Sequence, residues 1–558
     1  MASRKRRPEP KTEAAAEPIS RKIVSFLESH SVPLAIALVL LASVRIVTTY
    51  TVFNHTSDEP AHIACGMEWL DKGAYQWEPQ HPPLARVATA IGPYLLGIRS
   101  QNTPRNALFA FSKEGTAILY AGHHYDLTLA LARLGILPFF WLGCAVVFWW
   151  GKRYFGAATA VAAVFIFSFL PTILAHGGLA TTDMAHTATM GGAFLLGLIW
   201  LENPTIRRGA WFGAAMGLTV ISKFSVLIFF PASAGLALAW YWCRDRPDWR
   251  SLVTAVKSRM PSLGVAIAVS VLVIWAGYRF HVGDSGIGHL RLPAPELYAG
   301  IRQVSAHNAE GHDSYLLGKR GSTGFWYYYP VAIAVKTPLA VLILMAAGLA
   351  MLFRKQPRFQ PLWIPLAFAA GILLVGAFSR ITIGIRHVMA VYISFSLLSA
   401  VALVRLLELS ETRKWLLAAA GVLVLWLAGS SLASHPDYLP YFNELAGSEP
   451  EKILADSDLD WGQDLKRLSA RLRELGATEV TFDKYIIGDW EKEHGFPRIY
   501  KMNQMSPSVG WNAIGVGLWK ESRLVLWPDW IKPQERVGKS ILLWYFPPSN
   551  PSAGITPR

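Results

Sequence analysis

Two adjacent carboxylates, Asp58 and Glu59, follow the first long apolar run of the chain, with His55 three residues before Asp58 and His62 four residues after it. A second polar knot, Gln80-His81-Pro82-Pro83-Leu84-Ala85-Arg86, closes the same stretch, residues 54–86. Ionisable groups at a membrane surface are costly to desolvate. A carboxylate pair flanked by histidines therefore reads as a seat for proton transfer or for metal binding. This stretch is the expected active-site loop.

A third acid, Asp183, stands in Gly178-Leu-Ala-Thr-Thr-Asp-Met-Ala-His186 just before another apolar run, and lone cations mark further junctions: Arg86, Lys223, Lys336, Arg380 and Arg386, the last beside His387. Acids and cations meeting at one membrane face suit a reaction whose nucleophile loses a proton while its leaving group is anionic. Lipid-linked phosphate fits that description. Plainer readings exist for each residue. Asp183 after Thr182 could cap a helix, and Lys223 or Arg386 near span ends could snorkel to headgroups. Lys336 lies deeper in its apolar run, where snorkelling is harder. His55, His62 and His81 with Asp58 leave a divalent metal open, although no ligand spacing is diagnostic. The run Phe325-Trp326-Tyr327-Tyr328-Tyr329 reads as an interfacial aromatic belt or as the lining of a sugar site.

The elements that must position these groups are membrane helices. The 558-residue chain is 52% hydrophobic and 16% charged, against about 25% charged in soluble proteins. Its net charge of +15 does not point to nucleic acid, because residues 434–558 hold 15 basic against 17 acidic residues and the excess lies on the apolar portion. Basic loops of a membrane protein are expected on the cytoplasmic side. Three cysteines without CxxC spacing imply neither a disulfide framework nor a zinc site.

Residues 1–31 read as a disordered basic cytoplasmic tail, with no cleavable signal peptide expected, and 32–433 as a transmembrane domain of about 11 helices. The expected spans are 32–53, 127–149, 156–175, 187–201, 210–222, 224–242, 262–280, 327–353, 361–378, 388–405 and 415–433, with 54–126 as the first outer loop and a short interfacial helix at 84–98. The basic segments 152–153, 207–208, 244–259, 354–355 and 405–414 then fall together on the cytoplasmic side. The 210–242 run reads either as two spans or as one broken helix, and the second choice would invert all that follows. From Ser434 the composition changes. Leu465, Leu468, Leu472 and Leu475 share one helical face with Gly476 as a stop, and strand-like runs follow at 479–487, 523–527 and 540–546. Residues 434–558 are thus expected to be a small extracytoplasmic α/β domain.

Asp58-Glu59-Pro60 with His62 and Gly66, then His81-Pro82-Pro83-Leu84 with Arg86, resembles the first outer loop of the protein O-mannosyltransferase-like glycosyltransferases of family 39 and their bacterial relatives, which have the GT-C fold. The resemblance continues through Thr182-Asp183, Gly213 to Lys223-Phe224-Ser225, Lys336-Thr337-Pro338, Ile385-Arg386-His387, Tyr441-Phe442-Asn443-Glu444 and the segment Asp456-Ser-Asp-Leu-Asp-Trp-Gly-Gln-Asp464. It implies an inverting, extracytoplasmic transfer of a sugar from a polyprenyl-phosphate donor to an acceptor hydroxyl on a protein, lipid or glycan. It further implies Asp58 as general base, Glu59 as the neighbour that orients the acceptor or tunes the base, and Asp183 as a second acid assisting the base or a metal. Lys223, Lys336, Arg386 and Arg86 would hold the donor phosphate. His62, His81 and His387 would line the acceptor and donor pocket. The tail after Asp464 lacks the look of MIR sugar-binding repeats, so the acceptor stays open. The expected location is the inner (plasma) membrane, with the N-terminus cytoplasmic. The competing readings are a lipid-diphosphate oligosaccharide transferase, a carrier or flippase, which would bind at midplane between repeats, and an inactive assembly subunit.

Overall fold

The computed structural model describes residues 17–548 except 355, 484–485, 522–524, 526 and 528–529. Every apolar run expected to span becomes helical. Among the described residues, seven helices are long and apolar enough to cross a membrane, and three bent pairs raise the number to ten. The eleventh run is the 15-residue helix Ile206–Val220, which covers about 22 Å at 1.5 Å per residue. Two of the three bends have a proline at the break. Pro171 opens the second half of a 69° bend, and Pro338 stands in the 118° bend between Tyr328–Lys336 and Leu339–Leu352, because proline has no N–H to continue the helical ladder.

The basic segments do collect at one end of the bundle. Arg153 and the Tyr154 hydroxyl contact Glu202, Arg208 and Arg259 donate to the carbonyls of Ile199 and Leu201, and Arg358 and Arg405 share Glu408. Helix Ile206–Val220 starts at that end and leads to Lys223, which pairs with Asp183 at the other end; Val226–Asp245 then returns. The 210–242 run is therefore a reversal and not one broken helix. The first polar loop and the C-terminal domain share an end, where Ser57 and Asn54 donate to the carbonyls of Trp461 and Gly462.

The first helix begins at Ile19, inside the stretch expected to be an unstructured tail, of which residues 1–16 lie outside the described residues. The reason is amphipathicity: Ile23, Val24 and Leu27 pack against the bundle core while Arg21 pairs with Glu411 at 3.0 Å. At the opposite end the expected interfacial helix is Pro83–Leu95, and it lies against Glu59–Lys72.

The C-terminal domain holds a five-stranded sheet in the order Arg498–Tyr500, Glu479–Phe482, Gly510–Gly515, Ile541–Phe546, Glu535–Val537, parallel at its first two pairings and antiparallel at the rest. Two of the expected strands appear, at 479–482 and 541–546; most of 523–527 lies outside the described residues. Helix Leu465–Glu474 buries Leu465, Leu468 and Leu472 against Val480, Phe482 and Leu543, each burial stabilising by roughly 1.5–3 kcal/mol. Gly476, at φ +65°, ends that helix as its leucine pattern anticipates.

Candidate active site

Where the first loop, the 221–229 reversal, the segment 301–322, the 375–387 turn and the C-terminal domain converge, they enclose a cavity of about 1750 Å³. One limb is apolar. Leu227, Ile228 and Phe229 from the start of Val226–Asp245 face Val375 and Phe378 at the end of Trp363–Ala377, and Ile228 and Phe378 remain exposed on the bundle surface. The other limb runs past His307, Asp313 and Arg320 to Asp456, Asp460 and Gly517 of the C-terminal domain.

Between the limbs lies a chain of alternating charges. Lys223 Nζ donates to Asp183 Oδ1 at 2.6 Å, Arg386 Nη1 lies 3.8 Å from Asp183 Oδ2, and the same nitrogen donates to Asp58 Oδ2 at 3.1 Å. Asp58 and Thr182 are the residues before their helices, yet neither side chain makes a capping bond. Asp183 gives its carboxylate to the two cations instead, so the simple capping reading does not describe it. Lys223 is presented by the reversal at 221–225, a position no straight helix would offer.

Arg386 is held from four directions. Besides its two carboxylates, its Nε donates to Ser457 Oγ at 3.1 Å and its guanidinium stacks 4.2 Å from the centre of the Trp461 ring. It belongs to the short 3-10 turn Ile385–Val388, which is tied down by Asp458 accepting from the Ile385 N–H. Gly384 before it has φ +133°, and a Cβ there would come within 2.4 Å of Ser457 Oγ, so only glycine admits this approach. The C-terminal segment is stapled to the first loop in turn: Ser57 N–H donates to the Trp461 carbonyl, and Asn54 bridges the Gly462 carbonyl and the Leu465 N–H.

The other expected residues divide into two groups. Arg86, His62, His81 and His387 line the cavity with Asp58, Lys223 and Arg386. Arg86 is buried and donates to His62 Nδ1, to the Tyr75 hydroxyl and to the Glu78 carboxylate. Glu59 and Lys336 are turned elsewhere. Glu59 forms a fully buried two-point ion pair with Arg133 and accepts from the N–H groups of Thr56 and Ala180. Lys336 Nζ donates to the carbonyls of Leu439 and Asp458, 2.7 and 2.6 Å away, above the Phe442 ring. Arg380 donates to the Ala309 carbonyl, and His55 lies against Tyr125 and the Ile487 carbonyl. Of the aromatic run 325–329, Tyr329 lines the cavity while Trp326 is exposed.

Sequence reasoning passed over Glu78, Asp456, Asp460 and Trp461 as individual site residues, and missed Arg133 as the partner of Glu59. The segment 456–464 drew notice as a motif without a role for any member. Glu78 stands three residues before His81, a helical-type spacing that gave no cue in a loop rich in proline.

Local fields sort the protonation states outside the spans. Burial acts to raise the Glu78 carboxyl, but Arg86 and His81 outweigh it and hold Glu78 well below the usual carboxylate range. Burial, reinforced by Arg86, keeps His62 neutral; burial with Lys223 and Arg386 does the same for His387, whose Nε2 has no hydrogen-bond partner among the described residues. Burial pushes the Asp456 carboxyl up to about 7, against the pull of Arg386 and with the push of Asp458 and Asp58. Among the described residues, no group of three or more His, Cys, Asp or Glu side chains is placed to hold a metal ion.

No family model matches the chain, and no curated protein does either. Solved structures with similar folds include ArnT from Cupriavidus metallidurans bound to undecaprenyl phosphate, at 17% identity and TM-score 0.48 over 71% of this chain and 69% of that one. The same ArnT in the apo state is similar over 91% and 97%, at 14% identity and TM-score 0.48. The Archaeoglobus fulgidus oligosaccharyltransferase in the apo form is similar over 88% and 65%, at 14% identity and TM-score 0.42.

Proposed function

We propose that this multi-pass membrane protein is a GT-C-type glycosyltransferase, moving a sugar from a polyprenyl-phosphate donor to an acceptor hydroxyl on a protein, lipid or glycan. The observation that carries the reading is the run Lys223–Asp183–Arg386–Asp58 at the foot of a cavity with one apolar limb opening on the bundle surface. A long isoprenoid tail suits the apolar limb between Leu227, Ile228 and Phe378. Its phosphate then meets Lys223 and Arg386, two cations that stabilise the charge developing on the leaving group. Asp58, beside them, takes the proton of the attacking hydroxyl.

The steps follow from those positions. The acceptor hydroxyl gives its proton to Asp58 as its oxygen bonds to the anomeric carbon. The bond from that carbon to the phosphate oxygen breaks, and its electron pair leaves on the lipid phosphate. Attack opposite the leaving group inverts the anomeric configuration. A lipid phosphate needs charge stabilisation and no proton to depart, so one base and two cations suffice. On this reading the cavity end of the bundle is extracytoplasmic and the basic end cytoplasmic, in an inner or plasma membrane.

A carrier is less well supported, because the ionisable groups gather at one end of the bundle and not at midplane. The test is binding of undecaprenyl phosphate to purified protein in detergent. Saturable binding weakened about tenfold or more in Arg386→Ala and Lys223→Ala supports the reading, and unchanged binding in both variants overturns it.

A further inference from the structure

The segment 456–460 carries three aspartates, of which Asp456 and Asp460 line the cavity, and Asp458 and Asp460 are committed to the fold. Asp458 accepts from the Ile385 N–H and the Tyr328 hydroxyl; Asp460 accepts from the N–H groups of Gly462 and Gly517. Asp456 is different. Its carboxylate takes the N–H of the adjacent Ser457, and the side chain stands half-buried in the cavity wall.

The backbone at Asp456 is also unusual, with φ +40°, a left-handed conformation that a non-glycine residue keeps only where its surroundings impose it. The surroundings here are the grip of Ser457 on Arg386 and on the Ile383 carbonyl at 2.5 Å, and the hold of Asp458 on the 385–388 turn. Asp456 shares the cavity lining with Ser314, Arg320 and Gly321 of the hairpin 314–321 and with Gly517 and Leu518 of the C-terminal domain. That hairpin is anchored to the domain by Leu317 N–H on the Ile453 carbonyl and by Arg320 on the Lys520 carbonyl. On the proposed function, a hydrophilic acceptor would reach the anomeric carbon along this polar side of the cavity.

We infer that Asp456 is a second catalytic carboxyl of the site, contacting the acceptor's nucleophilic hydroxyl from the C-terminal-domain side and sharing with Asp58 the proton that hydroxyl loses. This rests on the glycosyltransfer reading above. The acceptor's O–H proton ends on one of the two carboxylates. Its oxygen bonds to the anomeric carbon, and the phosphate oxygen departs with the electron pair toward Lys223 and Arg386. The charged groups facing Asp456 are Arg386, Asp58 and Asp458; burial, resisted by Arg386 and reinforced by the two aspartates, pushes its carboxyl up to about 7. A base poised there is matched to neutral operating conditions, whereas Asp58 is paired to Arg386 until a donor phosphate competes for that cation.

The experiment compares wild type, Asp456→Asn and Asp456→Glu, purified in detergent, with a panel of undecaprenyl-phosphate sugars as donors and a membrane extract as acceptor source. Three quantities are read: undecaprenyl phosphate binding, initial transfer rate against amount of extract, and the pH profile of transfer. The expected result is binding within twofold of wild type in both variants. Transfer falls at least tenfold in Asp456→Asn and partly recovers in Asp456→Glu, and the rise in rate through about pH 7 seen in wild type disappears in Asp456→Asn. Transfer and pH profile unchanged in Asp456→Asn would overturn the inference and leave the proposed function standing. Loss of undecaprenyl phosphate binding in both variants would also overturn it, assigning Asp456 to the donor site or to folding. Absence of transfer by wild type from every donor would overturn both.

Discussion

Arg386 Nη1 donates to Asp58 Oδ2 at 3.1 Å, joining residues 328 positions apart and occupying the expected base with the expected phosphate-binding cation. On the proposed function, a donor phosphate would compete with Asp58 for the same guanidinium, and donor binding would release the carboxylate that the acceptor needs. Asp58→Asn should therefore bind undecaprenyl phosphate at least as well as wild type while transfer falls by about 100-fold or more. Equal loss of binding and transfer would assign Asp58 to the donor site instead.

Glu59 should behave as a structural residue. Its carboxylate and the Arg133 guanidinium are both buried, and removing one partner of such a pair costs about 3–5 kcal/mol because the other charge is stranded. Glu59→Gln is expected to lower the thermal unfolding temperature and the yield of monodisperse protein, and Glu59→Gln combined with Arg133→Met should recover part of the loss. A Glu59→Gln protein of normal stability but no transfer would return Glu59 to the chemistry.

Lys336 is expected to act in the same indirect manner. Its ammonium satisfies the carbonyls of Leu439 and Asp458, and so supports the segment that holds Arg386. Lys336→Ala should reduce thermal stability more than affinity for undecaprenyl phosphate. A binding loss of tenfold at unchanged unfolding temperature would contradict this.

Two glycines permit the helix crossings that shape the first loop. A Cβ on Gly66 would lie 1.9 Å from the Arg86 carbonyl, and one on Gly115 would lie 1.8 Å from the Pro60 carbonyl. Backbone on both sides leaves no room to yield. Gly66→Ala and Gly115→Ala should each destabilise by about 1–3 kcal/mol or more, measured by thermal unfolding, while Gly429→Ala, which meets open space, should not.

Stability should also depend on pH through Asp456. An ordinary aspartate titrates near 3.9, whereas this one is pushed up to about 7 by its burial. Between those values the unfolded chain has released the proton and the folded protein still holds it, so stability falls as pH rises from about 4 to about 7 and is level above. Asp456→Asn removes that loss. Its unfolding temperature relative to wild type should be higher at pH 8 than at pH 5, and no change in that difference would contradict the raised value.

The spans were legible because a long apolar run has few alternatives to a membrane helix, and the 210–242 ambiguity was resolved only by the contacts of Arg208 and Lys223 at opposite ends. Asp58, Arg386 and Lys223 were visible as charges at the edges of apolar runs. Glu59 and Lys336 looked the same in sequence, since nothing local reveals that Arg133, 74 residues away, or the carbonyl of Asp458, 122 residues away, has claimed them. The strands Arg498–Tyr500 and Glu535–Val537 were missed because three residues carry too little alternation to read, and the central Gly510–Gly515 because its glycines and Asn512 read as a turn. Asp456 was hidden by its company, one of three aspartates in a motif whose other two members hold the fold through bonds to distant backbone N–H groups that the sequence does not reveal.

The most direct test of the central claim is release of free undecaprenyl phosphate from a panel of radiolabelled undecaprenyl-phosphate sugars by purified protein in detergent, supplied with a membrane extract, with Asp58→Asn alongside. The account predicts release from at least one donor by wild type and its loss in Asp58→Asn. No release from any donor, or undiminished release by Asp58→Asn, would contradict it.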